Sequence, residues 1–232
     1  MRSLLCNETE KKFGIFFLVL FTIITTLLTS FGISPILNSV FNSAIYTILL
    51  TGIFVCISGI NKIGIRNFAG RALFYFLIAS FLSLINIILI NFNLSFTLNE
   101  FVWVVVSTLI ILGLLIMMYT YRLTIPKTIF IEAGLIFSIL VIALSLTIGW
   151  LQIINSLLIT TAIMALRISG KRTNCGIVFI STGLITLSIS NLIFIQRYWN
   201  DISYFGDISD LAFLVAWFSI VTGIYFIKRH HA

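Results

Sequence analysis

The chain has 232 residues, of which 60% are hydrophobic and only 9% are charged, and its net charge is +7. Soluble domains carry roughly 25% charged residues, so the composition predicts an integral membrane protein whose direct partner is the lipid bilayer. It excludes a soluble catalytic domain, and it excludes the basic face of a folded domain that nucleic-acid binding would need.

Eight apolar runs are long enough to cross a membrane, since a span needs about 20 mostly apolar residues. The runs cover residues 13–33, 41–60, 72–92, 101–120, 128–148, 151–168, 175–196 and 210–227. Residues 134–146 are apolar on every side instead of alternating in polarity, which favours helices over strands. We therefore predict an all-α, polytopic helix bundle that forms a single membrane domain over residues 1–232. Only residues 149–152 are left for a turn between the fifth and sixth runs, so seven spans is the alternative.

Basic residues mark one side of this predicted bundle. Lysine and arginine accumulate in cytoplasmic loops and set the orientation of membrane helices. In the eight-span topology thirteen of the fourteen basic residues fall on one side, with Arg197 as the exception. The thirteen are Arg2, Lys11, Lys12, Lys62, Arg66, Arg71, Arg122, Lys127, Arg167, Lys171, Arg172, Lys228 and Arg229. Both chain ends are therefore predicted to lie in the cytoplasm of a prokaryotic cell, with the spans in its inner membrane.

The cysteines and histidines give no indication of a metal or cofactor site. Cys6, Cys56 and Cys175 map to the predicted cytoplasmic half, where thiols stay reduced, so no disulfide is expected. His230 and His231 stand at the extreme C-terminus, where they cannot ligate a haem inside the bilayer. The motifs of zinc proteases, serine hydrolases and P-loop proteins do not occur. The chain is therefore predicted not to be an enzyme and to need no cofactor.

The two halves of the chain show a weak internal similarity, which divides it into residues 1–122 and 123–232. Four spans in each half would make the halves parallel repeats, and chance likeness between apolar helices is the alternative explanation. The matched pairs are Ser58-Gly59 with Ser169-Gly170, SLIN (83–86) with SISN (188–191), Glu100 with Asp210, and Gly113 with Gly223.

Four polar residues are placed where the fourth and eighth helices are predicted to begin. Thr97 and Glu100 have the spacing of a capping box, in which both side chains bond to exposed backbone N–H groups. Asp207 and Asp210 occupy the corresponding place, and negative charge there suits the helix dipole. The alternative is an external cation or ligand site formed by Asp207 and Asp210 together with Asp201.

Two asparagines lie inside predicted spans, each with a serine one turn before it on the same helical face. The pairs are Ser83 with Asn86 and Ser188 with Asn191. Such residues most often form hydrogen bonds between packed helices. The functional alternative is that they line a ligand cavity between the two halves.

Glu132 is the one acid that the predicted topology places within a span. A charged residue at membrane depth is costly and is therefore a functional candidate. Lys127 and Arg122 lie nearby along the chain, so we expect structural pairing with one of them. A role in proton transfer is the alternative.

Residues 179–226 carry a pattern of small, acidic and aromatic positions across the last two spans. This segment resembles the end of the multi-spanning N-terminal sensory region of prokaryotic histidine kinases and diguanylate cyclases. The resemblance implies a membrane sensor domain that, without an attached effector domain, acts through a separate membrane or signalling protein. The matching residues are Gly183, Asn191, Gly206, Asp210, Leu211, Trp217 and Gly223.

These observations favour a non-enzymatic, sensor-like binding domain that recognises a small or lipidic ligand or the transmembrane helices of a partner. A small secondary transporter with a site between two parallel repeats is a second hypothesis. An accessory subunit of a membrane complex is a third.

Overall fold

The structure is a computed structural model that describes residues 34–91, 96–120, 127–145, 151–169, 175–199 and 208–231. All regular elements in these ranges are α-helices. We number them in chain order: α1 Ser34–Ile63, α2 Phe68–Asn91, α3 Phe96–Thr120, α4 Lys127–Ser145, α5 Leu151–Ser169, α6 Cys175–Trp199 and α7 Ile208–His231.

Five of these helices, α1, α2, α3, α6 and α7, are long and apolar enough to cross a membrane. Helices α4 and α5 carry shorter apolar segments, Ile131–Val141 and Ile153–Ser169. The prediction of an all-helical architecture is confirmed for the described ranges, and the length and composition of these five helices fit a membrane protein. The first predicted span, residues 13–33, lies outside the described residues.

Two separate helices occupy the region where the sequence left the number of spans open. Helix α4 ends at Ser145 and α5 begins at Leu151. Glu132 near the start of α4 forms an ion pair with Arg167 near the end of α5, so the two helices run antiparallel. The fifth and sixth apolar runs are therefore distinct helices.

Helices α6 and α7 approach each other so closely that backbone meets backbone. A methyl carbon added at Gly183 would lie 2.8 Å from the carbonyl oxygen of Ala216. One added at Gly223 would lie 2.7 Å from the carbonyl oxygen of Gly176. Both distances are shorter than a van der Waals contact, so only glycine permits this separation of the helix axes.

A third contact continues the same line along the two helices. The Ser190 hydroxyl donates a 2.6 Å hydrogen bond to the carbonyl oxygen of Ser209, and both serines are buried. The three contact positions are therefore seven residues apart on each helix, which keeps them on one face of an antiparallel, supercoiled pair. We call this line the small-residue seam; it consists of Gly176, Gly183, Ser190, Ser209, Ala216 and Gly223.

Helix α1 packs against α7 and α2, again through glycines spaced by seven residues. A methyl carbon at Gly52 would lie 2.9 Å from Cγ2 of Val221, and one at Gly59 would lie 3.5 Å from Cγ of Lys228. Both partners are also seven residues apart, so α1 and α7 run parallel. The methyl carbon added at Gly59 would also lie 2.6 Å from Cδ1 of Leu73 on α2, so α2 packs closely against α1 as well.

Aromatic rings connect α3 to the rest of the bundle. The Phe76 ring of α2 covers Gly113 of α3, where an added methyl would lie 3.0 Å from the ring. Trp103 of α3 and Phe213 of α7 have ring centroids 6.2 Å apart. Phe213 in turn contacts Trp217, which is almost completely buried. These aromatic side chains therefore connect α3 to both α2 and α7.

The described basic side chains gather at one end of this bundle. Helix α1 ends beside Lys228 of α7, and Arg167 lies near the end of α5, level with the start of α6. Cys175 lies at the same end and is disulfide-bonded, so the expectation that it is a reduced thiol is wrong. Cys56 is a buried free thiol, as expected. The disulfide at Cys175 argues against a cytosolic location for this end, because disulfides are rare in the cytosol. The basic residues argue for one, because lysine and arginine accumulate in cytoplasmic loops.

Gly183→Ala tests the small-residue seam. The added methyl has no space beside the Ala216 carbonyl oxygen, so α6 and α7 must separate, and we expect a loss of about 1–3 kcal/mol in the free energy of unfolding. The measurement is denaturant unfolding of the purified protein in micelles, followed by circular dichroism.

Gly134→Ala is the matched control for this substitution. An added methyl at Gly134 meets nothing within 4 Å. Alanine is a better helix former than glycine, so this variant should be as stable as the parent or more stable by up to about 1 kcal/mol. Equal losses in the two variants would contradict the close approach at Gly183.

Candidate functional site

A groove opens between α4 and α5 at the level of their ion pair. The groove is shallow, and the space enclosed within it is about 10 Å³. Its wall is apolar except for one acid, one base and one hydroxyl group, which is the composition expected of a small-ligand site. The lining residues are Ile129, Glu132, Ala133, Ile136, Thr160, Ile163, Met164 and Arg167. We call it the α4–α5 groove.

Helix α4 lies at the edge of the described bundle, because α5 is the neighbour that it packs against. Its outer face is strongly exposed, at 66% for Ile131, 59% for Leu135 and 64% for Ile139. These residues are four apart and therefore form one apolar stripe. In a membrane such a stripe faces lipid, and the opposite face of α4 forms one wall of the groove.

Glu132 and Arg167 form the ion pair at the groove. Their side chains are 38% and 57% exposed, respectively. Partly exposed pairs contribute about 0–1 kcal/mol to stability, so this pair is not needed to hold the fold. The sequence predicted pairing of Glu132 with Lys127 or Arg122, but the structure pairs it with Arg167 of the antiparallel neighbour.

Thr160 supplies the hydroxyl group of the groove. Its side chain is buried, and Oγ1 has no hydrogen-bond partner within the described part of the chain. The adjacent Thr161 differs, because its Oγ1 donates a 2.7 Å bond to the Leu157 carbonyl oxygen. An unpaired buried hydroxyl costs about 1–3 kcal/mol, so a ligand that bonds to Thr160 recovers that energy. The sequence analysis did not identify Thr160.

Asn191 connects two helices instead of lining a cavity between the halves. Its Nδ2 donates a 3.2 Å hydrogen bond to Oδ1 of Asn155 on α5. Asn155 is fully buried and was also missed from the sequence, although an asparagine in an apolar helix indicates such a contact. The Ser188 hydroxyl donates to the carbonyl oxygen of Leu184 within its own helix, at 3.0 Å.

Asn86 and Ser83 lie in a different interface, since α2 packs mainly on α1 and α3 while α6 packs mainly on α5 and α7. Oδ1 of Asn86 and Oγ of Ser83 are buried and have no partner among the described residues. The structure therefore does not bring the two predicted asparagines together.

The predicted capping residues lie at the starts of α3 and α7. Thr97 and Glu100 fall in the first two turns of α3, which begins at Phe96, and Asp210 lies in the first turn of α7. Asp207 directly precedes α7, outside the described residues. Within the described ranges no group of three His, Cys, Asp or Glu side chains could hold a metal ion.

Comparison with known proteins found no matching family model, no matching curated protein and no matching solved structure.

The two asparagines should respond differently to replacement by leucine. Asn191→Leu removes the donor to the buried Asn155 oxygen, and we expect a loss of about 0.6–1.7 kcal/mol in the free energy of unfolding. Asn86→Leu removes a buried carbonyl oxygen that has no partner, so it should be neutral or stabilising. Unfolding of both variants in the same micelles provides the comparison, and a larger loss for Asn86→Leu would contradict the placement of these side chains.

Proposed function

We propose that this protein is a non-enzymatic membrane binding domain that takes an amphiphile with an anionic head and an apolar tail into the α4–α5 groove. The observation that carries the proposal is the partly exposed Glu132–Arg167 pair beside an unpartnered buried hydroxyl, inside an otherwise apolar groove. The resemblance to bacterial sensory regions supports a role in ligand recognition.

Arg167 suits the head of such a ligand. A guanidinium has five N–H donors, and more than half of this side chain is exposed. The donors that do not face Glu132 can bind a phosphate or carboxylate in two-pronged geometry, which makes a strong, charge-assisted contact. The Thr160 hydroxyl lies two turns before Arg167 on the same helix, so it can bond to a polar atom further along the ligand.

The apolar wall suits the tail. Ile129, Ala133 and Ile136 line the groove from α4, while Ile163 and Met164 line it from α5. A methionine adapts to irregular shapes, so chains of different length and saturation can be accommodated. Helix α4 lies at the edge of the described bundle, so a membrane amphiphile can reach the groove and lie along it.

Binding at this place has a mechanical consequence for α4. The helix is held mainly by α5 and the ion pair, so a ligand that competes for Arg167 weakens one of its attachments. A ligand shifts a conformational equilibrium by its difference in affinity for the two states. We propose that a partner membrane or signalling protein reads the resulting change in the position of α4.

The probe for this proposal is a photoreactive, single-chain lipid phosphate, crosslinked to the protein in nanodiscs. We expect crosslinks in α4 and α5, mapped by mass spectrometry. Arg167→Gln should reduce them about tenfold, because a charge-assisted hydrogen bond is worth about 1.5 kcal/mol. Thr160→Val should reduce them by a smaller factor.

Thr161→Val is the matched control for Thr160→Val. It changes the neighbouring threonine, whose hydroxyl is bonded within α5, and should leave crosslinking unchanged. Crosslinks spread evenly over all helices, or equal labelling of Arg167→Gln and the parent protein, would refute a binding site in the groove.

A second candidate function is a small transporter with two parallel halves. The packing order of the helices supports this candidate. In the first half α1 packs on α2 and α2 packs on α3, and in the second half α5 packs on α6 and α6 packs on α7. The contact between α1 and α7 has its counterpart in the contact between α5 and α3. Purified protein in liposomes would then take up or exchange a solute. Absence of flux across a panel of solutes would remove this candidate.

A further inference from the structure

Four basic side chains lie together where α1, α2 and α7 meet at one end of the bundle. Lys62 is in the last turn of α1, Arg66 is in the connection to α2, and Arg71 is in the first turn of α2. Lys228 of α7 lies over Gly59, about one turn before Lys62. We call these four residues the basic cap. Lys62, Arg66 and Arg71 are exposed, and Lys228 is half-buried.

The connection between α1 and α2 holds these charges in a fixed arrangement. Gly64 has a φ of +81°, which favours glycine, and its N–H donates to the Ile60 carbonyl oxygen at 2.8 Å. The N–H of Asn67 donates to the Gly64 carbonyl oxygen at 3.2 Å, and that of Arg71 donates to the Asn67 carbonyl oxygen at 2.9 Å. Three backbone hydrogen bonds therefore fix the path of the turn that carries Arg66.

No acidic residue of the described chain compensates the basic cap. Glu100 lies in the second turn of α3 and Asp210 in the first turn of α7, at the opposite end of the bundle, and Glu132 is paired with Arg167. Because the charges of the cap repel one another, an anion that lies between them is stabilised by all four.

Exposed apolar and aromatic side chains surround the cap. Ile65 is 47% exposed, Phe68 is 44% exposed and Tyr119 is 67% exposed. The Phe68 ring contacts Tyr119 at a centroid distance of 5.0 Å, and the Arg71 guanidinium carbon lies 5.4 Å from the centre of the Phe68 ring. Aromatic rings next to cations at the end of apolar helices are typical of the membrane interface, so a lipid head group is the anion within reach.

We propose that the basic cap binds the head group of a membrane lipid that carries two phosphates. Four cations from three helices exceed the charge of one phosphodiester, and two phosphates in one head group neutralise twice as many of them. Basic surfaces between membrane helices bind such head groups in this way. The bound lipid bridges α1, α2 and α7, and its chains lie against the exposed apolar residues beside the cap.

The test is competition between lipids on the full-length protein, read by native mass spectrometry. The protein is reconstituted with equal amounts of a diphosphate lipid, a single-phosphate anionic lipid and a zwitterionic lipid. We expect the diphosphate lipid to remain bound preferentially. Arg66→Gln with Arg71→Gln should reduce that preference about 25-fold, at about fivefold per cation removed.

Two further variants make the outcome decisive. Arg66→Lys keeps the charge and should retain the preference, while Arg197→Gln, near the end of α6 and away from the cap, should leave it unchanged. Circular dichroism confirms that each variant is folded. The proposal is overturned if the parent protein retains the single-phosphate lipid equally well, if the double variant keeps the full preference, or if Arg197→Gln loses it.

Discussion

The bundle depends on the backbone contact between α6 and α7. Inside a bilayer the lipid tails are as apolar as leucine, so helices associate through close packing and hydrogen bonds and not through exclusion of water. The small-residue seam provides both, because its glycines bring the helix axes together and Ser190 bonds to the Ser209 carbonyl oxygen. Helix α7 then presents its other faces to α1 and to Trp103 of α3.

The candidate site lies where this packing is weakest. Helix α4 has α5 as its neighbour and turns a stripe of isoleucine and leucine outward, so little apolar contact holds it in place. Segments with few packed contacts are those that move at low cost in free energy. The ion pair of Glu132 and Arg167 therefore lies on the part of the described bundle that is best able to respond to a ligand.

Much of the architecture could be predicted from the amino-acid sequence, because every described helix coincides with an apolar run. The helix bounds differ mainly where polar residues extend a helix beyond its apolar part, as in α3, which begins at Phe96 and not at residue 101. Glu132 was singled out from the sequence, and the structure pairs it with Arg167. Its partner could not be found, because the distance along the chain says nothing about which face of α5 turns towards α4.

The same limit explains Asn155 and Thr160. Both are ordinary polar residues of an apolar helix, and their roles follow only from the direction in which the packed helix points them. Asn86 and Asn191 show the converse case, since two similar sequence segments place their side chains in different interfaces. Local similarity predicted equivalent roles, and the neighbouring helices made them different.

The composition of the small-residue seam also affects the thermodynamics of assembly. Burying a long side chain removes rotamer freedom that was available before contact, whereas glycine and alanine have none to lose. Four of the six seam positions are glycine or alanine. The seam positions therefore add little side-chain entropy penalty to the docking of α6 on α7.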